Sequence, residues 1–369
     1  MTAHARPSPS GTWRGVWAGG LVAAATVIGG IVATDSVGLP LRDPDHVAAL
    51  YLGLVGLGVA LLVVLDVALR ARPRATGGRS MRDAMAQVRR ERWTPTRMAA
   101  AGLALVGFYA TYMAYRNLKA IVPLLRPGDN FDAQLADADR ALFAGNDPVE
   151  LLHTLLGTGL VTHVLSAFYV AFIVFLPLTI GLALVFATDL RPALFYVTAQ
   201  SINWVLGIGS YFLLPSLGPI YFDPGAFTDL PGSEVTRLQG VLMQQRVDFL
   251  ADPSTGTPQS IAAFASLHIS MSFTAALAAT LLGLGRRLQA ALWIWLAITT
   301  IGTVYLGWHY FVDDIAGVAM GAAALLLARA FTGIDLRAER ERRRRERAPH
   351  EGHAWDAGAQ PAGVSARSN

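Results

Sequence analysis

The stretch Leu160–Phe186, LVTHVLSAFYVAFIVFLPLTIGLALVF, contains no Asp, Glu, Lys or Arg. A helix rises about 1.5 Å per residue, so roughly 20 apolar residues cross the hydrocarbon core of a bilayer. This run is longer than that and has no charge to keep it in water. It therefore predicts a transmembrane helix.

Apolar windows of similar length recur along the chain, and together they decide the fold class. About eight spans follow from them, which predicts an all-α, polytopic helical bundle in a membrane. The first window is too long for a signal peptide and has no clear cleavage site after it, so we expect it to remain as a helix. The other seven windows are Trp13–Thr34, Val47–Leu69, Met98–Leu118, Ala193–Leu214, Leu267–Leu284, Ala290–Trp308 and Val312–Phe331.

The composition of the whole chain agrees with this class. Of its 369 residues, 53% are hydrophobic and 15% are charged, which argues against both a soluble enzyme and a disordered chain. Cysteine is absent, so disulfides, thiolate metal sites and a cysteine nucleophile are excluded. The net charge is +4, and Lys119 is the single lysine among 30 basic residues.

The basic residues are concentrated on one side of the predicted topology. Arg clusters follow the second, sixth and eighth windows, and the last of them includes Arg342–Arg345. By the positive-inside rule this side is cytoplasmic, with both termini, and we expect a bacterial cell membrane. The inner side then carries 23 basic and ten acidic residues, and the outer side seven and sixteen. The charge thus reflects orientation, and no nucleic-acid partner is predicted. The tail arginines either anchor the topology or bind anionic lipid.

Two long segments on the predicted outer side have helical patterning. Asp129–Leu156 has an apolar stripe interrupted at Asn146-Asp147-Pro148, which predicts two short interfacial helices. The segment Pro215–Ala265 contains the amphipathic stretch Glu234–Leu250. Connections of this length usually form lids or binding loops.

Two histidines and three cations near the outer ends of the spans are the candidates for chemistry. His309 and Asp313 are four residues apart, so on a helix the carboxylate reaches the ring and fixes its tautomer. His268 begins another span. Arg116, Lys119 and Arg126 lie on the side that usually lacks positive charge, and such cations hold phosphate oxygens well. The alternatives are interfacial polarity for the His–Asp pair and snorkelling anchors for the cations.

These residues carry a resemblance to a known family. KAIVPLLRP (residues 119–127), SLH (266–268) and HYFVD (309–313) resemble, in order, the three blocks of the type 2 phosphatidic acid phosphatase superfamily. The second block has Ala265 and Leu267 where the family has Pro and Gly, and the third has Gly302-Thr303 instead of Ser-Arg. SLH, HY-x-x-D, LPSLGP and the acidic segment before Leu160 look more like the phosphotransferase branch that includes inositol phosphorylceramide synthase.

The resemblance implies a phosphohistidine route without metal or other cofactor. His309 would attack phosphorus, and Asp313 would orient the His309 ring. His268 would protonate the leaving alcohol and then deprotonate the acceptor. The phosphate oxygens would be held by four further residues, with Arg116 as a replacement for the missing family arginine: Lys119, Arg126, Arg116 and Ser266.

The resemblance also divides the chain and its possible functions. It implies a catalytic core in residues 98–332, and it leaves outside that core two N-terminal helices with a basic loop in 1–97 and a basic, partly disordered tail in 333–369. We expect a phosphotransferase at the outer face that moves a phospho-headgroup, for example inositol phosphate, between lipid or glycan substrates. The alternative is a phosphatase acting on phosphatidate or a polyprenyl (pyro)phosphate.

A third alternative is a membrane protein without enzymatic activity. Four polar residues in the windows suggest a polar pathway: Asp66, His163, Gln200 and Asn203. A structural role explains them better, because Asp66 lies one turn from Arg70 and the other three can bond between helices.

Overall fold

The computed structural model describes residues 9–43, 46–75, 80–258 and 261–347. Within these residues the chain is all-α, with no strand, which confirms the predicted fold class. Two 3₁₀ turns, at Arg72–Arg74 and Pro224–Phe227, complete the helical elements. The α-helices are α1 (Pro9–Asp35), α2 (Val47–Ala71), α3 (Met81–Arg92), α4 (Pro95–Leu125), α5 (Asp132–Leu142), α6 (Pro148–Leu156), α7 (Leu160–Phe186), α8 (Leu190–Leu213), α9 (Pro219–Phe222), α10 (Glu234–Ala251), α11 (Leu267–Leu281), α12 (Arg286–Tyr305), α13 (Phe311–Thr332) and α14 (Leu336–Arg347).

Each of the eight predicted windows is a helix in the structure. Among the described residues, six helices are long and apolar enough to cross a membrane: α1, α2, α4, α7, α12 and α13. The other two are α8, which is long but more polar, and α11, which has 15 residues. Both are largely buried in the bundle, so neither depends on its own hydropathy to remain in the membrane.

The centre of the bundle is α8, which packs against α4, α11 and α13. Its polar side chains bond across this interface. The Asn203 amide donates to Thr274 Oγ1 at 2.9 Å and accepts from Ser270 Oγ at 2.7 Å, and Gln200 Nε2 donates to the Met271 carbonyl at 3.1 Å. In an apolar interior such bonds fix the pairing of helices. Gln200 and Asn203 therefore join helices.

Asp66 and His163 have different surroundings. The buried Asp66 carboxylate accepts hydrogen bonds from Arg70 and Arg92, each at 2.7 Å, and from the Trp93 indole at 3.2 Å. Asp66 thus ties α2 to α3 with its charge compensated. His163 is exposed on the side of α7.

A close approach of α11 and α13 sets the position of the predicted second and third blocks. A Cβ on Gly317 would lie 2.6 Å from the Ser266 carbonyl oxygen, and one on Gly321 would lie 2.7 Å from that of Ser270. Only glycine fits at these two positions, which form the G-x-x-x-G spacing of close membrane helix pairs. The contact brings the start of α13, with Asp313, beside the start of α11.

The two segments that the sequence assigns to the outer side fold as the patterning predicts. The two parts of the interrupted stripe form helices α5 and α6. Asp147 caps α6 by accepting the Val149 N–H at 2.8 Å. Helix α10 coincides with the amphipathic stretch. The first part of the basic tail forms α14, and the rest of the tail, residues 348–369, for which partial disorder is predicted, lies outside the described residues.

Candidate active site

A cavity of about 350 Å³ opens at the end of the bundle where α11 and α13 begin. Its walls come from α2, α4, α7, α8, α10, the first residues of α11, and the segments that precede α11 and α13. Four of the residues singled out in the sequence line it: Arg116, Lys119, His268 and His309. Residues from three separate sequence blocks therefore meet in one space.

His309 lies on the short segment between α12 and α13 and is 4% exposed. Its Nδ1 is 3.4 Å from Asp313 Oδ2, and the same oxygen accepts the Tyr310 N–H at 2.9 Å. Catalytic contacts of this length often tighten when substrate binds. A carboxylate on the Nδ1 side leaves Nε2 as the nitrogen available for chemistry.

The surroundings of His309 favour the neutral ring. Burial lowers the pKa of His309, a hydrogen bond with the Ala263 backbone raises it, and the charge of Lys119 lowers it; together they lower the pKa to about 3. At neutral pH the imidazole is therefore uncharged, and the uncharged ring has the free lone pair that a nucleophile needs.

The second histidine faces the first across the cavity. His268 is the second residue of α11, and its ring lies between Tyr169 and Phe172 at centroid distances of 4.6 and 4.5 Å. The His268 and His309 ring centroids are 5.7 Å apart. The two rings are in edge contact, so one phosphate group in the cavity beside them can contact both.

Of the three cations that the sequence assigns to the outer side, two line the cavity and one does not. Lys119 lines the cavity, with its Nζ 5.5 Å from the centroid of the Tyr211 ring. Arg116 lines it one turn earlier and forms a 3.2 Å ion pair with Asp43. Arg126 caps the end of α4 outside this lining, where it pairs with Asp129 and donates to the Phe212 carbonyl.

Ser266 has a local structural contact. It is the N-cap of α11, where its hydroxyl accepts the Ile269 N–H at 3.4 Å, and it is fully buried outside the cavity lining. Its own N–H donates to the Asp313 carbonyl at 3.0 Å. Thr303, in the position of the family arginine, donates to Asp314 at 3.0 Å and is also buried. Both residues hold α11 and α12 against the start of α13.

Two buried aspartates of α5 fix the segment around His309, and the sequence did not reveal them. The Asp132 carboxylate accepts the N–H groups of Leu217 and Gly218, at 2.9 and 2.8 Å, and the Tyr310 hydroxyl at 3.1 Å. Asp139 accepts the first two N–H groups of α13, from Phe311 and Val312, at 2.7 and 2.9 Å. A carboxylate at a helix N-terminus stabilises that end. Burial raises the pKa of Asp139, and these two bonds oppose that shift.

Replacing Asp132 with Ala is expected to destabilise the protein by about 3 kcal/mol, because it leaves buried N–H and O–H donors without an acceptor. Thermal unfolding in detergent measures the loss. Asp137→Ala is the control, since Asp137 lies on the same helix and is 77% exposed. Equal melting temperatures for the two variants would contradict this role of Asp132.

The N-terminal helices also contribute to the site. Tyr51 of α2 lines the cavity. Arg42, between α1 and α2, donates to the carbonyls of Pro253, Ser254 and Gly256 beyond α10, and the Asn117 amide bonds to the backbone of Arg42. The connector thus joins α4 to the chain segment that follows α10.

Two buried indole groups in the cavity wall are candidate donors to a ligand. Trp204 and Trp308 both line the cavity, and within the described residues neither Nε1 has a hydrogen-bond partner. A buried N–H without a partner costs free energy, which makes these two groups candidates for bonding to a ligand. Over the same part of the chain, no group of three or more His, Asp or Glu side chains is arranged to hold a metal ion.

Comparison with known proteins gives one match. A family model described as the PAP2 superfamily matches residues 133–327, slightly more than half of the chain. The matched range includes His268, His309 and Asp313, and it begins after Lys119 and Arg126. No curated protein and no solved structure gave a significant match.

Proposed function

Because the chain belongs to the PAP2 superfamily, whose members are phosphatases and phosphotransferases, we propose that it is a membrane-embedded phosphotransferase acting through His309. The observation that carries the proposal is the meeting of His309, His268 and Lys119 in one cavity. Family membership also argues against the alternative of a protein without enzymatic activity. The active site faces the outer side in this proposal, with the arginine-rich end in the cytoplasm.

The proposed reaction has two steps. His309 Nε2 attacks phosphorus, the bond from phosphorus to the leaving oxygen breaks, and His268 gives that oxygen a proton. In the second step His268 takes the proton of an acceptor hydroxyl, whose oxygen displaces His309 from phosphorus. Asp313 stabilises the charge on the His309 ring, while Lys119 and Arg116 compensate the phosphate oxygens, which carry most of the charge. Arg126 and Ser266 act through the ends of α4 and α11.

The shape of the cavity supports a substrate with a headgroup and an acyl chain. Its volume is within the range typical of small-molecule sites and far exceeds that of a single water. Ile173 of α7 belongs to the lining and is 51% exposed on the outside of the bundle, so a chain can leave the cavity toward lipid. Aromatic rings, among them Tyr112 and Tyr115, surround the space for an acceptor or headgroup.

A transferase and a phosphatase differ in the acceptor, which is an alcohol in the first and water in the second, so an acceptor assay distinguishes them. Purified protein would be incubated with phosphatidylinositol carrying ³²P, with ceramide or a glycan alcohol as acceptor. We expect label on an acceptor, at a rate that depends on its concentration. Label released only as inositol phosphate, whatever the acceptor, would contradict the transferase and favour a hydrolase that uses water as the acceptor.

The two indole N–H groups give a further prediction. Trp204→Phe and Trp308→Phe keep an aromatic ring but remove the donor, and each is expected to lower kcat/KM about tenfold to a hundredfold, as hydrogen bonds to charged groups are worth ~1.5–3 kcal/mol. Trp295→Phe is the control, because its Nε1 donates to Ser272 away from the cavity. If all three variants have the wild-type kcat/KM, the indole groups do not bind substrate.

A further inference from the structure

A second cavity, of about 370 Å³, lies at the opposite end of the bundle from His268 and His309. It is enclosed where α7 and α11 end and α8 and α12 begin. Small side chains leave this space open, among them Ala193 of α8 and Ala275, Ala278 and Ala279 of α11. The catalytic residues are at the other ends of α11 and α12, so this cavity is separate from the proposed active site.

The interior of the second cavity offers no free hydrogen-bonding group. Its two hydroxyl groups, Thr179 Oγ1 and Tyr196 Oη, bond to each other at 2.7 Å, and Tyr196 also accepts from Gln200 at 2.9 Å. The remaining lining is aliphatic or aromatic except for one arginine. A polar ligand would lose its hydrogen bonds to water here without replacement. The buried part of an occupant is therefore hydrocarbon.

Positive charge stands at the entrance of the cavity. The lining arginine is Arg343 of α14, which forms an ion pair with Glu339 at 2.8 Å. Arg286 and Arg287 begin α12 directly before the lining residue Leu288, and both are exposed. The helix that starts at Arg286 has no acidic residue in its first turn. An anionic group at this entrance meets net positive charge.

We propose that this cavity binds an acyl chain of an anionic phospholipid, with the phosphate of the headgroup beside Arg343 and the first residues of α12. The two parts of such a lipid correspond to the two parts of the site, an apolar interior and a basic entrance. A phosphatidylglycerol molecule meets both requirements, whereas a zwitterionic lipid lacks the net charge that the entrance attracts. Binding at this end is independent of phosphoryl transfer at the other.

Two variants test the contributions of the apolar interior and of the charged entrance to lipid binding separately. Ala183 is a half-buried lining residue of α7, and Ala183→Phe fills the space that the acyl chain would occupy. Arg343→Gln removes one positive charge from the entrance. The matched controls are Leu326→Phe, at a position of α13 that is 68% exposed, and Arg344→Gln, one residue further along α14 and outside the lining.

The full chain would be reconstituted in nanodiscs with phosphatidylglycerol and phosphatidylcholine, then stripped with detergent, and native mass spectrometry would count retained lipids. We expect one retained phosphatidylglycerol with at least about tenfold preference over phosphatidylcholine. Ala183→Phe should abolish retention, and Arg343→Gln should lower the preference about fivefold, the effect of one arginine at a membrane surface. The controls should retain wild-type binding. Equal retention of both lipids, or wild-type retention by Arg343→Gln and Ala183→Phe, would overturn the proposal.

Discussion

His309→Gln is expected to lower the rate of phosphoryl transfer by four to six orders of magnitude, because it removes the nucleophile that both steps require. Gln keeps a polar side chain of similar length, so the cavity remains filled and the neighbouring Tyr310–Asp313 bond is undisturbed. The rate is measured as single-turnover conversion of labelled phospholipid in detergent.

The matched control for His309→Gln is His163→Gln, which changes an exposed histidine on the side of α7. It should retain the wild-type rate. Both proteins should melt within a few degrees of the wild type, so that a loss of rate is not a loss of fold. If His309→Gln retained more than about a tenth of the wild-type rate, His309 would not be the nucleophile.

Lys119→Met is expected to lower kcat/KM about a hundredfold to a thousandfold, the typical effect of losing one group that stabilises transition-state charge. Met matches the length and apolar stem of lysine, so the variant removes the charge while keeping most of the packing. Arg126→Met is expected to change kcat/KM less than tenfold, because Arg126 caps α4 outside the cavity lining.

The comparison of these two variants is a direct test of the site geometry. The sequence blocks treat Lys119 and Arg126 alike, whereas the structure separates them. Melting temperatures show whether a fall in kcat/KM reflects a loss of stability, since Arg126→Met removes the bonds to Asp129 and Phe212. If kcat/KM fell further in Arg126→Met than in Lys119→Met, the phosphate would bind nearer to Arg126 than this cavity allows.

The sequence predicted the features that have a local pattern. Apolar windows mark eight helices of the bundle, because lipid and a protein core both select apolar side chains. The break at Asn146-Asp147-Pro148 separates α5 from α6 as expected, since Asp caps a helix and Pro fits its first turn. The third window was too short: α4 continues to Leu125, so Lys119 lies within the helix.

The residues that hold the site in place make contacts that are distant in sequence, so no local pattern predicts them. Asp132 bonds to Leu217 and Tyr310, which are 85 and 178 residues away in the chain. Arg42 bonds to a segment more than 200 residues away. Contacts of this kind depend on how the helices pack, and no residue spacing in a single sequence predicts them. The apolar stripe of α5 drew attention to its hydrophobic face, while its buried carboxylates hold the site.

The central claim is that a phosphoryl group passes through His309, and trapping the phosphoenzyme tests it most directly. The protein would be mixed with ³²P-labelled phospholipid without acceptor, quenched in alkali, where phosphohistidine survives, and digested for mass spectrometry. We predict label on the peptide that contains His309, its loss when an acceptor alcohol is added, and no label in His309→Gln. Label on a different residue, or turnover with no labelled protein at any time, would contradict the account.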